Sequence, residues 1–225
     1  MIDDLLVSLA NLDACAVSDA LDALGLPGVV DGLRCLTGVA RISGTVITVE
    51  LGPISEAAGE PSTPDAGPTR HLGTAAADAA APGTVIVVAH QGRTDSAGWG
   101  GNLSRAAKRN GAVAVICDGA VRDVDEAREV GLPLFATGAT PRTARSRTVE
   151  RSWGQPVEID GVRVESGDLV VADSTGVVFV SSHHLALVVD KATSIVAREA
   201  SMAAAIDAGA PVSEVMGADY EHLLK

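Results

Sequence analysis

"TVIVVAHQGRTDSAGWGGNLSRAAKRNGAVAVICDGAVRDVDEAREVGLPLFATG", residues 84–138, decides how this chain folds. Three short apolar runs (84–90, 112–118 and 132–138) alternate with two polar segments, 102–111 and 122–131. Apolar runs without polar alternation read as strands buried on both faces, and the segments between them carry helical spacing. Parallel strands joined by such helices cross over right-handed, so the stretch predicts βαβ units within a three-layer α/β/α sandwich. The glycine-rich bend at 98–101 then falls at the carboxyl end of the first strand, where open α/β sheets bind ligands.

Working outward, "IDDLLVSLANL" (2–12) and "VSDALDALGLPG" (17–28) have helical spacing. The second is opened by a Ser18-Asp19 cap and stopped by Gly25, with Pro27 just beyond. "GVARISGTVITVEL" (38–51) reads as a strand rich in β-branched residues. Residues 52–70, dense in Pro, Gly, Ser and acids, read as a mobile surface loop, and 71–83 as a short helix ended by Pro82-Gly83. After Arg147 the pattern changes. Residues 155–180 alternate, with turns at Asp160-Gly161 and Ser174-Thr175-Gly176, and predict a β-rich antiparallel meander. A long Ala-rich helix, about 182–208, and a shorter one close the chain. The expected organisation is one α/β domain over 1–225 with a mixed sheet.

Composition narrows the function classes. With 47% hydrophobic residues but 2% aromatics, the core must be built from Val, Ala, Leu and Ile. A formal charge of −12 without a basic stripe argues against a nucleic-acid surface. No apolar run reaches the roughly 18 residues a bilayer span needs, and no charged-then-apolar leader is visible. Cys15, Cys35 and Cys117 are far apart without paired metal-ligand spacing. They read as reduced thiols, Cys117 as a core residue, and the cytoplasm as the expected compartment.

Two loops can carry chemistry. Gly98, Gly100 and Gly101 admit positive φ and let main-chain amides approach a ligand, and the helix start behind them favours anions. Asn102 stands where that helix needs an N-cap. The bend is no nucleotide fingerprint, because Gly98-x-Gly100-x-x ends on Leu103 and no Lys-Ser/Thr pair follows. On the neighbouring strand, Asp118-Gly119 read as a turn that delivers Arg122 and Asp123 to the next helix. A guanidinium there can hold a carboxylate by two charge-assisted bonds, and Asp123 can take a hard divalent cation. Plainer readings stand beside these. The glycines can simply cap a helix, Asp123 and Glu126 can form a capping box, and Arg122 can pair with Asp123, Asp118 or Asp125 on the surface. His90 reads as a core or turn histidine, His183-His184 lack a third ligand, and Asp168 and Asp173 read as turn and capping residues.

The stretches 99–142 ("WGGNLSRAAKRNGAVAVICDGAVRDVDEAREVGLPLFATGATPR"), 166–180 ("SGDLVVADSTGVVFV") and the late "AREA" (197–200) resemble the RraA-like family. That family holds class II 4-hydroxy-4-methyl-2-oxoglutarate aldolases and proteins named for regulating ribonuclease E. The likeness covers most of the chain and is strongest over 83–180. It implies an α/β/α sandwich of swivelling β/β/α-like layering, assembled as a homotrimer or homohexamer with sites between subunits. It further implies that Arg122 holds the pyruvyl carboxylate and keto oxygen of a short 2-oxo acid. Asp123 ligates Mg2+ or Mn2+ on that reading, and the main chain at Gly100, Gly101, Asn102 and Leu103 cradles the substrate. Glu199 of a neighbouring subunit matches a glutamate that positions water.

One departure matters. The family's aldolases carry an acid twenty-one residues before the arginine, and Gly101 stands there in this chain. Asp95, in the same loop, is the candidate replacement. The departure puts the aldol reaction in doubt and favours decarboxylation of oxaloacetate, in which carbon dioxide leaves without receiving a proton. Both reactions need a stabilised pyruvate enolate, supplied by a Schiff-base lysine or by a metal. Lys108, Lys191 and Lys225 all fall outside buried apolar strands, which leaves the metal. The alternative is a non-catalytic regulator that docks its acidic surface on an RNA-degrading enzyme.

Overall fold

The computed structural model describes residues 2–38, 41–54 and 72–217. Most of the loop read at 52–70 and residues 39–40 of the strand read at 38–51 lie outside the described residues.

Residues 84–138 fold as their pattern predicts. Strand β4 (Thr84–Ala89), helix α4 (Gly101–Arg109), strand β5 (Ala114–Val121), helix α5 (Val124–Glu129) and strand β6 (Leu134–Ala139) follow in order. The three strands are parallel neighbours, and every residue of β4 and β5 is buried. Strand β3 (Ile42–Pro53) lies parallel on the far side of β4. Beyond it the sheet turns antiparallel through β10 (Leu169–Ala172), β11 (Val177–Val180) and β1 (Val29–Val30). Strand β2 (Arg34–Cys35) pairs with β6 at the other edge, and β7 (Thr148–Trp153) pairs with the end of β3.

The mixed sheet curls on itself. Val85, Val87, Ile116 and Phe135 from the parallel half meet Val170, Val177 and Phe179 from the antiparallel half in one interior cluster. A separate hairpin, β8 (Val157–Ile159) with β9 (Val162–Val164), closes that interior through Ile159 and Val164. The alternate residues face outward. Ile86, Val88, Val115 and Leu134 pack under α4, α5 and α3 (Thr74–Ala79), largely against alanines such as Ala76, Ala107 and Ala127. Val171 and Val178 pack under α1 (Ile2–Ala10), α2 (Ala14–Leu24) and α6 (Leu185–Asp207). A short helix, α7 (Val212–Val215), follows α6. Small side chains at these contacts let helices sit close to the sheet, which is how a chain so poor in aromatics fills its core. Helices thus cover both outer flanks of a mixed sheet, as expected, and the curl adds a strand-lined interior.

Three local expectations need correction. Asp118 and Gly119 lie inside β5, which runs on to Val121 with a register shift between Cys117 and Ala120. Ser18 and Asp19 sit within α2, whose N-cap is Asp13, with its side chain accepting from Ala16 N at 2.8 Å. The stretch 155–180 is two hairpins in different sheets rather than one meander. The β8–β9 turn places Asp160 and Gly161 at φ 48° and 79°, the conformation a two-residue hairpin turn demands. No described helix is long and apolar enough to cross a membrane.

Candidate functional site

The carboxyl ends of β4 and β5 lie side by side, and the glycine loop returns across the end of β5. Gly98 N donates to Ala120 O at 2.8 Å, Ala120 N to Arg93 O at 2.8 Å, and Arg122 N to Trp99 O at 3.0 Å. The buried Trp99 donates from Nε1 to Ser104 Oγ at 3.1 Å, and Ser104 Oγ donates to Gly100 O at 3.0 Å. The bend is therefore pinned to β5 on one side and to the first turn of α4 on the other.

The glycines are needed for proximity, not for positive φ. Gly98, Gly100 and Gly101 are absent from the positive-φ positions, and Gly100 is extended at φ −156°. A Cβ on Gly98 would come within 3.0 Å of Cys117 Sγ, and one on Gly100 within 3.1 Å of Asp123 Oδ2. The left-handed conformation falls instead on Asp123, at φ 56° and ψ 39°. Asp is among the non-glycine residues that tolerate it, though such strain clusters at sites where surrounding structure imposes it.

Asp123 is held from two directions. Its Oδ2 accepts from Gly101 N at 3.0 Å and from Arg122 Nε at 3.0 Å. Among the described residues no protein donor reaches Oδ1. Burial pushes this carboxyl up, but the Gly101 amide and the Arg122 guanidinium outweigh it and hold the group below the usual carboxylate range. The Arg122 and Asp123 side chains remain 39% and 30% exposed, so both can be reached from solvent. The capping-box reading does not hold: Asp123 makes no side-chain cap bond, and Glu126 faces Arg105 at 3.6 Å. Asn102 is not the N-cap of α4 either. Gly100 holds that position without a side-chain bond, and Asn102 is exposed in the first turn, beside the half-buried Leu103.

The other candidates lie elsewhere. Asp95 is exposed and engaged by Arg93 through two bonds of 3.0 Å each, on the wall of a 390 Å³ concavity with Pro53, Ile54, Arg142 and Arg147. That pairing with Arg93 holds its carboxyl below the usual range. A second concavity of 500 Å³ is lined by Glu50, Gln91, Asp118, Glu158 and Asp160 among others. Neither concavity is lined by Arg122 or Asp123. Glu199 is exposed on α6, the helix that packs with α1 and α2 under the antiparallel half of the sheet. It lies on a different flank from the bend.

His90 is fully buried with Nε2 2.9 Å from Ser96 O, and burial lowers its pKa, which fits the core reading. His183 and His184 sit exposed in a 3-10 turn, Ser182–His184. Asp168 accepts from Glu165 N and Ser182 N, and Asp173 from Ala14 N and Thr175 N, as turn and capping residues do. Among the described residues no three His, Cys, Asp or Glu side chains gather as a metal-binding group. The sequence reading missed the close approach of Glu126 to Gly101. Its one available signal was that Glu126 lies one helical turn after Asp123.

The RraA-like family model, described as Aldolase/RraA, matches residues 14–179. Protein DlpA of Legionella pneumophila is 29% identical over 94% of this chain, which spans 33% of that relative's length. An uncharacterized Methanocaldococcus jannaschii protein, MJ0644, is 31% identical over 59% of this chain and 63% of its own length. A Burkholderia mallei protein named "Putative 4-hydroxy-4-methyl-2-oxoglutarate aldolase" is 32% identical over 75% of this chain and 93% of its own. Among solved structures, an uncharacterized Pseudomonas syringae protein superposes with a TM-score of 0.80 at 29% identity, covering 96% of this chain and 98% of that one. Streptomyces coelicolor RraAS2, described as an unusual member of the RNase ES inhibitor RraA family, gives a TM-score of 0.72 at 29% identity, covering 84% and 90%.

Proposed function

The chain belongs to the RraA-like family, and from that premise we propose that it is a divalent-cation-dependent lyase that breaks a carbon–carbon bond of a short 2-oxo acid. The reading covers aldol cleavage of a 4-hydroxy-4-methyl-2-oxoglutarate type of substrate and decarboxylation of oxaloacetate. One observation carries it: a guanidinium, a carboxylate and the first-turn amides of a helix converge at the bend formed by Gly100, Gly101, Arg122 and Asp123.

The residues present fit a hard cation. Mg2+ and Mn2+ favour oxygen ligands, and Mg2+ commonly binds one or two carboxylates and keeps several waters. Among the described residues, Asp123 offers one oxygen fixed by two donors and a second without a protein partner, and no larger ligand group gathers nearby. Asp123 would hold the cation, whose charge, when bound, favours negative charge on the substrate's keto oxygen. Arg122 commits Nε to Asp123 and keeps its terminal nitrogens for the substrate carboxylate. Charge-assisted bonds of this kind contribute about 1.5–3 kcal/mol each. The first amides of a helix have no acceptor within it, so those of Asn102 and Leu103 can donate to the bound acid. Gly100 and Gly101 keep Cβ atoms away from the Asp123 side chain. In decarboxylation the carbon–carbon pair moves toward the keto oxygen, carbon dioxide departs, and the pyruvate carbon then takes a proton from water. Sites between copies in a homotrimer or homohexamer would let Glu199 of a neighbouring copy approach the bend.

The test is pyruvate release from oxaloacetate and from 4-hydroxy-4-methyl-2-oxoglutarate, with Mg2+ or Mn2+ present and after chelation. Turnover should vanish on chelation and return with the metal. Arg122→Ala should lower kcat/KM by about 100-fold, the loss of one or two charge-assisted bonds. Unaltered turnover in both Arg122→Ala and Asp123→Ala rejects the reading.

A second reading follows from the charge of −12 and from the inhibitor description of the Streptomyces relative. An acidic surface of this size can dock on a basic segment of an RNA-processing enzyme. Binding that survives Arg122→Ala and Asp123→Ala, without turnover on any oxo acid, favours it.

A further inference from the structure

We propose that Glu126 supplies the second carboxylate of the Arg122–Asp123 site, from the space that a side chain at position 101 would otherwise fill. Its role rests on the lyase reading above, whereas its geometry does not.

A Cβ built on Gly101 runs into the Glu126 carboxylate: Oε2 lies inside contact distance, and Cδ is 2.8 Å away. The same Cβ would stand 3.1 Å from Asp123 Cβ. The path by which a residue-101 side chain would leave the main chain therefore runs beside Asp123 and ends on Glu126. Glu126 reaches that place from α5, one turn beyond Asp123, whose left-handed backbone starts the helix. Arg105 on α4 braces it, with Nε 3.6 Å from Glu126 Oε2, while Nη2 of the same arginine lies 3.9 Å from Glu129.

A surface ion pair alone does not explain this arrangement. Arg105 and Glu126 are about half exposed, and such pairs contribute little stability. Gly101 is the first residue of α4. The room it leaves is occupied by a carboxylate whose cationic neighbour sits at 3.6 Å, so hydrogen-bond acceptor capacity remains. Asp123 has its Oδ2 saturated by Gly101 and Arg122, and Glu126 adds a second anionic oxygen on the same side of the bend. Glu126 acts as a positioning residue. It can accept a hydrogen bond from a water bound beside Asp123, and it adds the second negative charge that a divalent cation at Asp123 favours.

A four-protein cycle tests this: the native protein, Gly101→Asp, Glu126→Ala and the double variant, with Glu126→Gln as a milder fifth. Thermal unfolding reads the geometry. Gly101→Asp alone should lower Tm only slightly, because the half-exposed Glu126 carboxylate can swing aside, and that small loss should disappear when Glu126→Ala is also present. Mn2+ affinity, followed by electron paramagnetic resonance, reads the role. Outer-shell partners typically change metal affinity by 10–100-fold, so Glu126→Gln and Glu126→Ala should weaken Mn2+ binding by about 10-fold. The double variant should recover most of it. In pyruvate release, Glu126→Gln should lower kcat while KM for the oxo acid stays near the native value. A Gly101→Asp penalty independent of Glu126, or native Mn2+ affinity in Glu126→Gln, overturns the assignment of Glu126 alone. A native protein that neither binds Mn2+ nor releases pyruvate overturns the lyase reading, and the role of Glu126 falls with it.

Discussion

Gly101 donates its amide to Asp123 Oδ2 at 3.0 Å, joining the first residue of one helix to the residue that starts the next. Together with the bond from Arg122 Nε to the same oxygen, it leaves Oδ1 as the carboxylate oxygen without a donor among the described residues. Asn tolerates the left-handed conformation of residue 123 and keeps an oxygen able to accept from Gly101 and Arg122, whereas Ala has neither property. Asp123→Ala should therefore be less stable than Asp123→Asn by about 1–3 kcal/mol, the sum of αL strain and lost bonds. Urea unfolding checks this, and equal midpoints would show that the backbone there is not imposed by the bonds. Both variants should lose cation-dependent turnover.

The βαβ run was legible because strands buried on both faces leave uninterrupted apolar segments, and helices of about ten residues separate them. Convergence of the bend with Arg122 and Asp123 followed from adjacency of β4 and β5. What escaped was set by contacts rather than by pattern. Asp118-Gly119 carries a strong turn signal, yet β5 runs through it because Arg93 and Trp99 return along it and bond to Ala120 and Arg122. Strands β1 and β2 are two residues each, too short for any periodicity. β7 reads "TVERSW", whose charged residues sit half-buried at the end of β3. Asp95 was a candidate only because it shares the loop, and its partner Arg93, two residues away, claims it. The need for glycine at 98, 100 and 101 was legible, but its reason was close approach rather than φ.

Gly119 and Gly98 should differ in tolerance to a methyl group. A Cβ on Gly119 meets His90 Cδ2 at 2.6 Å and the Arg93 carbonyl oxygen at 2.8 Å, the second of which is backbone. A Cβ on Gly98 meets Cys117 Sγ at 3.0 Å and His90 Cγ at 3.1 Å, both side-chain atoms. Gly119→Ala should cost about 1–3 kcal/mol, the range for overpacking, and Gly98→Ala clearly less. Thermal midpoints of the two variants decide it, and the reverse order would mean that the loop yields more readily than β5.

The start of α2 is held by two aspartates from distant parts of the chain. Asp13 accepts from Ala16 N at 2.8 Å, and Asp173, in the β10–β11 turn, accepts from Ala14 N at 3.0 Å and Thr175 N at 2.8 Å. Burial raises the Asp173 carboxyl, but these amides outweigh it and hold it below its ordinary value. Its contribution is thus complete above the unfolded value near 4 and is lost as pH falls through the lower folded one. Each cap removed by Ala substitution should cost about 1 kcal/mol, with Asp173→Ala the larger because it ties the hairpin to the helix. Guanidinium unfolding at pH 7 measures both, and an Asp173→Ala loss no greater than that of Asp13→Ala would discount the tie.

Asp118 gives stability the opposite pH dependence. Burial pushes its carboxyl up to about 7, against hydrogen bonds from the His90 and Gln91 amides and with Asp160 adding to the rise. The folded value thus lies above the unfolded value of about 3.9. Between the two, the native state keeps a proton that the unfolded chain has released, so this group makes stability fall as pH rises from about 4 to about 7, with no further change above. Asp118→Asn removes the titration while keeping an oxygen that can accept from His90 N. The variant should gain on the native protein across that interval, by an amount on the order of a few kcal/mol at pH 8, scaled from the size of the shift. Subtracting the two unfolding free energies at each pH cancels the other titrating groups. A difference that is flat from pH 4 to 8 would mean that Asp118 ionises in the native state as it does in the unfolded chain.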